Sequence, residues 1–290
     1  IVDGILEDMS LKGLVVMTKE GMRIIEGKVT VDATGDGDVA HFAGAPVEKG
    51  REDGLMQPVT LEFTLEGVDE SRAITCIGDV DNVKLNGERF LDYCARCARQ
   101  GLLPKNLAAV RLHPTVRPGQ RQVNTTQYNG ADATCVQDLF AAEVELRRQI
   151  EILVKFFREN LPGYEKCWCM ASGDTLGVRE TRRVQGEYVI TAKELAAGKR
   201  FWDVVVHKAE FIVDIHNPAG AGQAEDKIQY VVPYDLPYRC FVPLKVENLL
   251  TAGRCISGTH RAHASYRVMS ICMAMGEAAG TAAALCIKEG

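Results

Sequence analysis

An apolar strand followed by a polar connection and a long apolar helix most constrains the fold of this chain. Residues 247–252 form the apolar run, which ends at Gly253-Arg254. A polar connection over 258–265 precedes a helix predicted over 268–287. In α/β folds this order presents backbone N–H groups and the positive end of a helix dipole to an anionic or electron-rich ligand. The sequence therefore predicts an α/β fold with a ligand-binding edge near its C-terminus.

The N-terminal part predicts a second strand of the same kind. Short apolar runs between residues 11 and 32 are separated by Glu-Gly pairs, a pattern that indicates a β-meander followed by a buried strand. That strand ends in a Gly-containing turn at Thr34, as the later strand does at Ala252. Because α/β folds bring such turns together at the carboxyl ends of strands, we expect the two strands to share one sheet.

The turn after this strand resembles two known ligand-binding loops incompletely. Gly35, Gly37 and Ala40 form a G-x-G-x-x-A pattern, but Asp36 and Asp38 would direct negative charge at a pyrophosphate. A calcium loop counted from the preceding aspartate would need a glutamate where residue 43 is alanine. The turn thus predicts neither a phosphate cradle nor a calcium site.

The middle of the chain predicts a mixed α+β body. Its predicted strands cover residues 60–65, 175–190 and 210–215. Its predicted helices cover residues 89–100, 139–159 and 192–198. The run 217–222 predicts a mobile surface loop.

Composition excludes several classes of protein. The chain of 290 residues is 46% hydrophobic with a net charge of −5, which argues against disorder and against nucleic acid as a partner. Its ten cysteines have no repeating spacing, so we expect reduced thiols, no metal site and a cytoplasmic location. Glu277 in the middle of the 268–287 helix favours a soluble helix, whose small residues pack closely on a sheet, over a membrane span. Because the chain begins with isoleucine, it is expected to be a fragment.

Seven segments, in their order along the chain, carry a resemblance to a known family. They are residues 31–40, 54–58, 177–183, 214–216, 247–257, 267–269 and 276–280. Together they resemble FAD-dependent oxidoreductases, which are related more distantly to fumarate reductase flavoproteins. The resemblance implies FAD as the cofactor and hydride transfer between an organic small-molecule substrate and flavin N5.

The resemblance also implies a domain organisation. It predicts an incomplete Rossmann-like FAD-binding domain built from both chain ends, residues 1–48 and 236–290, with an α+β substrate domain, residues 49–235, inserted between them. The family's N-terminal G-x-G-x-x-G unit is absent from this sequence. We therefore expect weak or no FAD binding, compromised activity, and self-association through apolar surface left bare.

The resemblance implies roles for particular residues. Four residues would lie near the adenosine side of FAD: Ala33, Thr34, Gly35 and Asp36. Gly253 and Arg254 would approach the diphosphate and ribityl chain. The amides of Arg267, Val268 and Met269, at the predicted start of the last helix, would face the flavin pyrimidine edge.

The catalytic residues implied by the resemblance are His260, Arg261 and His263. A histidine beside N5 takes a proton while the flavin takes a hydride, and an arginine holds a substrate carboxylate. A polar loop with hydrogen-bonded imidazoles explains the same residues equally well.

Two further groups of residues are open to two interpretations each. Asp214 and His216 suit either an oriented imidazole or a surface pair. Arg179, Arg182 and Arg183 suit either an anion clamp or an interdomain salt-bridge network. For the whole chain, the alternative function is a non-catalytic scaffold or binding domain that holds no flavin, and a third is a flavin enzyme acting on a nucleotide or thiazole-like precursor.

Overall fold

A computed structural model of the chain describes residues 1–78, 81–225 and 229–289. The strands are β1 (Asp3–Glu7), β2 (Ser10–Thr18), β3 (Gly21–Glu26), β4 (Thr30–Asp32), β5 (Val47–Lys49), β6 (Phe63–Glu66), β7 (Lys84–Leu85), β8 (Glu88–Arg89), β9 (Leu112–Pro114), β10 (Arg121–Val123), β11 (Trp168–Ser172), β12 (Arg182–Val184), β13 (Val204–Ala209), β14 (Tyr234–Pro237) and β15 (Leu249–Thr251). The α-helices are α1 (Asp38–Phe42), α2 (Phe90–Arg99), α3 (Val136–Asn160), α4 (Ala192–Ala196), α5 (His260–Tyr266) and α6 (Met269–Glu289). Short 3₁₀ turns cover Lys105–Leu107, Tyr238–Cys240 and Gly253–Cys255.

The chain divides into two compact units, each built from separate segments. Unit 1 comprises Ile1–Leu55, Glu180–Ile215 and Lys227–Gly290, and unit 2 comprises Met56–Arg179 and His216–Asp226. The units divide the chain elsewhere than at the predicted boundaries 48/49 and 235/236, because β12 pairs with β5 and β13 pairs with β14. These pairings bring residues 180–215 into unit 1, whereas the cofactor and substrate roles of the units stay predictions.

In unit 1, β4 and β15 pair in parallel although more than two hundred residues separate them. Their register places Leu249 opposite Thr30 and Thr251 opposite Asp32. The prediction that these two strands share a sheet is therefore confirmed. Within the described residues the sheet has only these two strands, so one edge of β4 has no strand neighbour.

The N-terminal meander is larger than the sequence predicts. It forms a three-stranded antiparallel sheet in the order β1-β2-β3, and β1 was not predicted. Met17 and Met22 are opposite each other across the β2–β3 pair and both are exposed.

Unit 2 has an antiparallel sheet in the order β11-β6-β10-β9 and a hydrophobic core of its own. The 25-residue helix α3 buries Leu146, Leu153 and Phe157, whose helical spacing puts them on one face. The predicted helices over 89–100 and 139–159 are confirmed within a few residues. The run 217–222 is anchored by Asn129, whose Nδ2 donates to Asn217 O at 2.9 Å.

Three predicted strands differ from the structure, two in part and one entirely. The strand over 60–65 begins at Phe63 and runs to Glu66. Of residues 175–190 only Arg182–Val184 forms a strand, because residues before it make isolated bridges and turns, such as the Gly177–Thr60 bridge. Residues 210–215 form no strand, since the β-branched run of β13 supplies the partner of β14 instead.

The predicted polar connection 258–265 is also wrong, because it forms the helix α5 from His260 to Tyr266. Thr259 caps this helix with a side-chain oxygen that accepts from Ala262 N. The helix buries polar residues, so apolar periodicity does not predict it. Ser265, for example, bonds Tyr234 Oη at 2.9 Å and donates to Phe211 O.

The last helix, α6, packs through a narrow face. Ile271, Met275 and Ala279 are its buried residues. A side chain at Gly276 or Gly280 would meet nothing within 4 Å, so these glycines lie on the open side and do not mediate the predicted close packing on a sheet. The helix is long and apolar enough to cross a membrane. Over an 18-residue window its mean hydropathy is 1.5, and 17% of that window is buried.

Candidate functional site

The turn after β4 is organised by a buried aspartate. Asp32 Oδ1 accepts from Thr34 N at 3.0 Å and from Thr34 Oγ1 at 2.7 Å. Its Oδ2 accepts from Ala40 N at 2.9 Å, in the first turns of α1. The carboxylate therefore satisfies backbone donors of the turn and of the helix.

Two predicted cofactor-binding turns lie against each other in unit 1. The guanidinium of Arg254, in the turn after β15, lies so close to Gly35 that a Cβ on this glycine would be 2.4 Å from Nη2. Arg254 Nη2 also lies 3.1 Å from Asp36 Oδ1. Asp36 Oδ1 further accepts from Thr181 Oγ1 at 2.7 Å. The structure thus brings Gly35, Asp36 and Arg254 together, and the guanidinium fills the space over Gly35 that a phosphate cradle would need open.

The segment after β15 contains two buried polar groups. Arg254 Nη1 and Ser257 Oγ are buried and have no hydrogen-bond partner in the part of the chain that is described. Gly253 has a left-handed backbone with φ of 87°, which glycine adopts without a steric penalty. A buried polar atom without a partner costs about 1–3 kcal/mol, so this turn suits a ligand that accepts hydrogen bonds.

The remaining predicted cofactor-binding residues are placed less tightly. Ala33 is exposed and Thr34 is half-buried. The amide of Arg267 donates to His263 O at 3.2 Å and so belongs to the end of α5. Of the three predicted amides, those of Val268 and Met269 therefore lie at the start of α6. The guanidinium of Arg267 donates to Asp214 Oδ2 at 3.0 Å.

Of the predicted catalytic residues, His260 has the clearest chemical environment. Its Nδ1 lies 2.8 Å from Oε1 of Glu180, a carboxylate whose side chain is wholly buried. The same oxygen accepts from Arg183 Nη1 at 2.6 Å. The His260 side chain itself is 12% exposed. A buried carboxylate thus orients an imidazole that still reaches the surface.

Arg261 and His263 are placed differently from His260. Arg261 Nη2 donates to Gln229 Oε1 at 2.5 Å. His263 is 1% exposed, and its Nδ1 is buried without a partner in the described chain. Burial, together with the charges of Arg267, Arg183 and Arg254, lowers the pKa of His263 well below its usual value. This imidazole is therefore neutral at physiological pH.

The arginines of the 179–183 segment form internal ion pairs and hydrogen bonds. Arg182 Nη1 lies 2.7 Å from Asp38 Oδ1, and Arg183 pairs with Glu180, both within unit 1. Arg179, in unit 2, donates to Pro58 O at 2.8 Å. His216, also in unit 2, donates its amide to Gln57 Oε1 at 3.1 Å. These contacts favour structural roles for this set.

Glu180 is the residue that sequence reasoning missed as a site residue. Glu180 lies among the arginines of the 179–183 segment and joins the segment before β12 to α5 through His260. Its only sequence signal was its place among three arginines. Within the described residues, no group of three or more His, Cys, Asp or Glu side chains is arranged to hold a metal ion.

Comparison with known proteins gives one match to a family and one to a solved structure. A family model described as FAD dependent oxidoreductase matches residues 1–290. A crystal structure of a geranylgeranyl bacteriochlorophyll reductase-like protein from Thermoplasma acidophilum matches with 12% sequence identity and a TM-score of 0.37. That match covers 98% of this chain and 47% of the other, so this chain spans about half the length of the structure it matches. No curated protein matches the chain.

Proposed function

The chain belongs to the family of FAD-dependent oxidoreductases, with FAD as its cofactor, and we propose that it transfers hydride between an organic substrate and flavin N5. The observation that carries this proposal is the pairing of His260 with the buried Glu180 beside the turn that follows β15. An oriented imidazole next to a cofactor turn is suited to move a proton in step with a hydride.

The residues present fit part of the cofactor. Arg254 Nη1 and Ser257 Oγ are buried donors without acceptors in the described chain. Phosphate and ribityl oxygens would supply such acceptors. Val268 and Met269, at the start of the 21-residue helix α6, would hold the pyrimidine edge, and Ala33 and Thr34 would lie towards the adenosine. The glycine turn at Gly35 does not fit a pyrophosphate, since the Arg254 guanidinium fills it.

Bound FAD supplies a hydride acceptor at N5. For a 2-hydroxy acid, His260 Nε2 would take the hydroxyl proton as the C–H hydride leaves, which yields the 2-oxo acid. Arg261 would hold the substrate carboxylate, with which a guanidinium makes two parallel hydrogen bonds. His263, held neutral, would complete the polar wall behind them.

Variants of His260 and of the control residue His207 test this assignment. With the chain saturated with FAD, anaerobic reduction by lactate or glycolate is followed through flavin absorbance. His260→Ala should slow reduction about 100-fold or more while FAD affinity changes less than about twofold. His207→Ala, at an exposed histidine of β13, is the matched control and should leave the rate unchanged. An unchanged rate in His260→Ala would remove this residue from the mechanism.

The affinity of the chain for FAD is a separate question. Because Gly35 is covered and the helix that follows, α1, has only five residues, we expect weak FAD binding by this chain alone. A titration that follows flavin fluorescence measures it. Tight stoichiometric binding would show that the turn at Gly35 opens to receive the pyrophosphate.

We further propose self-association through the apolar face of α6. Met269 and Met273 are among the most exposed large apolar residues of the chain. An apolar face of this kind is unfavourable in water, and a second copy is one way to cover it. Light scattering should show a larger species for the wild type than for Met273→Ser, and equal masses would exclude this face.

The alternative, a scaffold that holds no flavin, is distinguished by the same titration. A scaffold would show no change in flavin fluorescence at any FAD concentration. We also propose a cytoplasmic location, which the cysteine usage supports, and a substrate-binding role for residues 49–235, which the resemblance supports.

A further inference from the structure

The carboxylate of Glu180 is held on two sides by groups of unit 1. Arg183 donates Nη1 to Oε1 at 2.6 Å, and His260 Nδ1 lies 2.8 Å from the same oxygen. Both Glu180 and Arg183 are almost completely buried. The geometry of this oxygen is therefore set by packing and not by solvent.

Arg183 is itself fixed by backbone carbonyls. Its Nε donates to Gly258 O at 3.0 Å, two residues before His260, and its Nη2 donates to Gly50 O at 2.8 Å. Gly258 in turn forms a bridge with Ile190. One guanidinium thus ties the carboxylate to the peptide that leads into α5.

This arrangement determines which nitrogen of His260 carries its proton. A carboxylate that is paired with a guanidinium accepts hydrogen bonds, so the ring nitrogen that faces it must donate. We propose that Glu180 is a positioning residue that keeps the proton of neutral His260 on Nδ1 and leaves the lone pair on Nε2. This inference rests on the proposed function, since it specifies the nitrogen through which His260 would accept the substrate proton.

The partial exposure of the ring is compatible with this assignment. The His260 side chain is 12% exposed, and within the described residues its hydrogen bond to Glu180 is made through Nδ1. A proton acceptor needs a free lone pair and access to substrate. His263, one helical turn on, is buried, and within the described residues its Nδ1 has no partner.

The tautomer is measured directly on the full chain labelled with ¹⁵N-histidine. At about pH 8, long-range ¹H–¹⁵N correlations distinguish a ring nitrogen that carries a proton from one with a lone pair. His260→Asn assigns the signals by their loss. We expect the proton on Nδ1, with a downfield, slowly exchanging resonance. A proton on Nε2 would overturn the proposal whatever the activity of the protein.

Two matched variants distinguish the hydrogen bond between Glu180 and His260 from a general effect of negative charge near Arg183. In Glu180→Gln an oxygen remains but the charge is lost, so the Nδ1–H resonance should move upfield and flavin reduction should slow about ten- to hundredfold. Glu48→Gln removes an exposed carboxylate 3.7 Å from the same Arg183 and should change neither. An Nδ1–H resonance unchanged in Glu180→Gln, or shifted equally in both variants, would overturn the proposal.

The proposed roles of His260 and Glu180 can fail separately. If His260→Asn leaves the reduction rate unchanged, the proposed role of His260 in the reaction is lost, while the tautomer measurement still decides the role of Glu180. If Glu180→Gln does not fold, the tautomer of the wild-type chain remains a sufficient test.

Discussion

At the scale of single residues, we expect a methyl group added at Gly35 to disturb the contacts of the candidate site. Its φ of 77° strains any other residue, and a Cβ would be 2.4 Å from Arg254 Nη2. Because that atom ends a flexible side chain, we expect Gly35→Ala to displace the guanidinium and break its contact with Asp36. The backbone strain should lower the free energy of unfolding by about 1–2 kcal/mol.

Gly44 supplies the control for this prediction. It has nearly the same φ, 78°, but open space around its Cβ position. Gly44→Ala should therefore cost a similar free energy in urea unfolding without changing the NMR signal of the Arg254 side chain. A signal that is unchanged in Gly35→Ala as well would contradict the contact.

The pair of Glu70 and Arg121 predicts a pH dependence of stability in unit 2. Arg121 donates to both carboxylate oxygens at 2.7 Å, and its hydrogen bonds lower the pKa of Glu70 from 4.5 to about 2. A lowered folded-state pKa stabilises the fold above the unfolded pKa, and this contribution is lost as the pH falls from about 4.5 to 2. Glu70 is partly exposed, so solvent screening keeps the effect modest.

Urea unfolding across this pH range checks the sign. Glu70→Gln should be less stable than the wild type at neutral pH, and the difference should vanish near pH 2. Glu20→Gln, which removes an exposed surface partner of Arg23, should leave the curve unchanged. A difference that persists at low pH would mean that packing and not charge explains the effect.

At the scale of elements, α6 shows how one helix carries two different surfaces. Met275 is fully buried and Met273 is 76% exposed, two residues apart. Met275→Ala should lower the free energy of unfolding by about 2–5 kcal/mol, whereas Met273→Ala should change it by less than about 0.5 kcal/mol. Thermal unfolding of the two variants measures this, and equal losses would mean that the helix packs through a different face.

The elements also show what the sequence could predict. The Gly-containing turns that end β4 and β15 predict that these strands share a sheet, and apolar periodicity predicts α3, which buries apolar residues in regular order. It fails at α5, whose packing depends on the hydrogen bonds of Ser265 and on the cap at Thr259. It fails also at residues 210–215, where local β propensity did not determine which segment pairs.

The candidate site was predictable only in part, for a related reason. The resemblance predicts roles for Gly35 and Asp36 in one segment and for Arg254 in another, and the structure brings them together. Glu180 was missed because its importance comes from a contact with His260 eighty residues later in the chain. Such a contact leaves no local pattern in a single sequence.

At the scale of the whole molecule, the two units have separate hydrophobic cores. Phe157 lies in the core of unit 2 and Met275 in a core of unit 1. We therefore expect two calorimetric transitions. Phe157→Ala, which costs about 3–5 kcal/mol, should lower one of them and Met275→Ala the other. A single transition that both variants lower equally would show that the chain unfolds as one cooperative unit.

The long separation of β4 from β15 has a consequence for how the chain is made. Translation proceeds at about 5–20 residues per second, so β4 leaves the ribosome roughly 10 to 40 s before its partner strand exists. Met56–Arg179 of unit 2 is synthesised within this interval. During that time the hydrogen-bonding edges of β4 are available to wrong strands, including those of neighbouring nascent chains. We therefore expect the speed of translation, and any chaperone that shields this short segment, to affect the yield of native protein independently of its final stability.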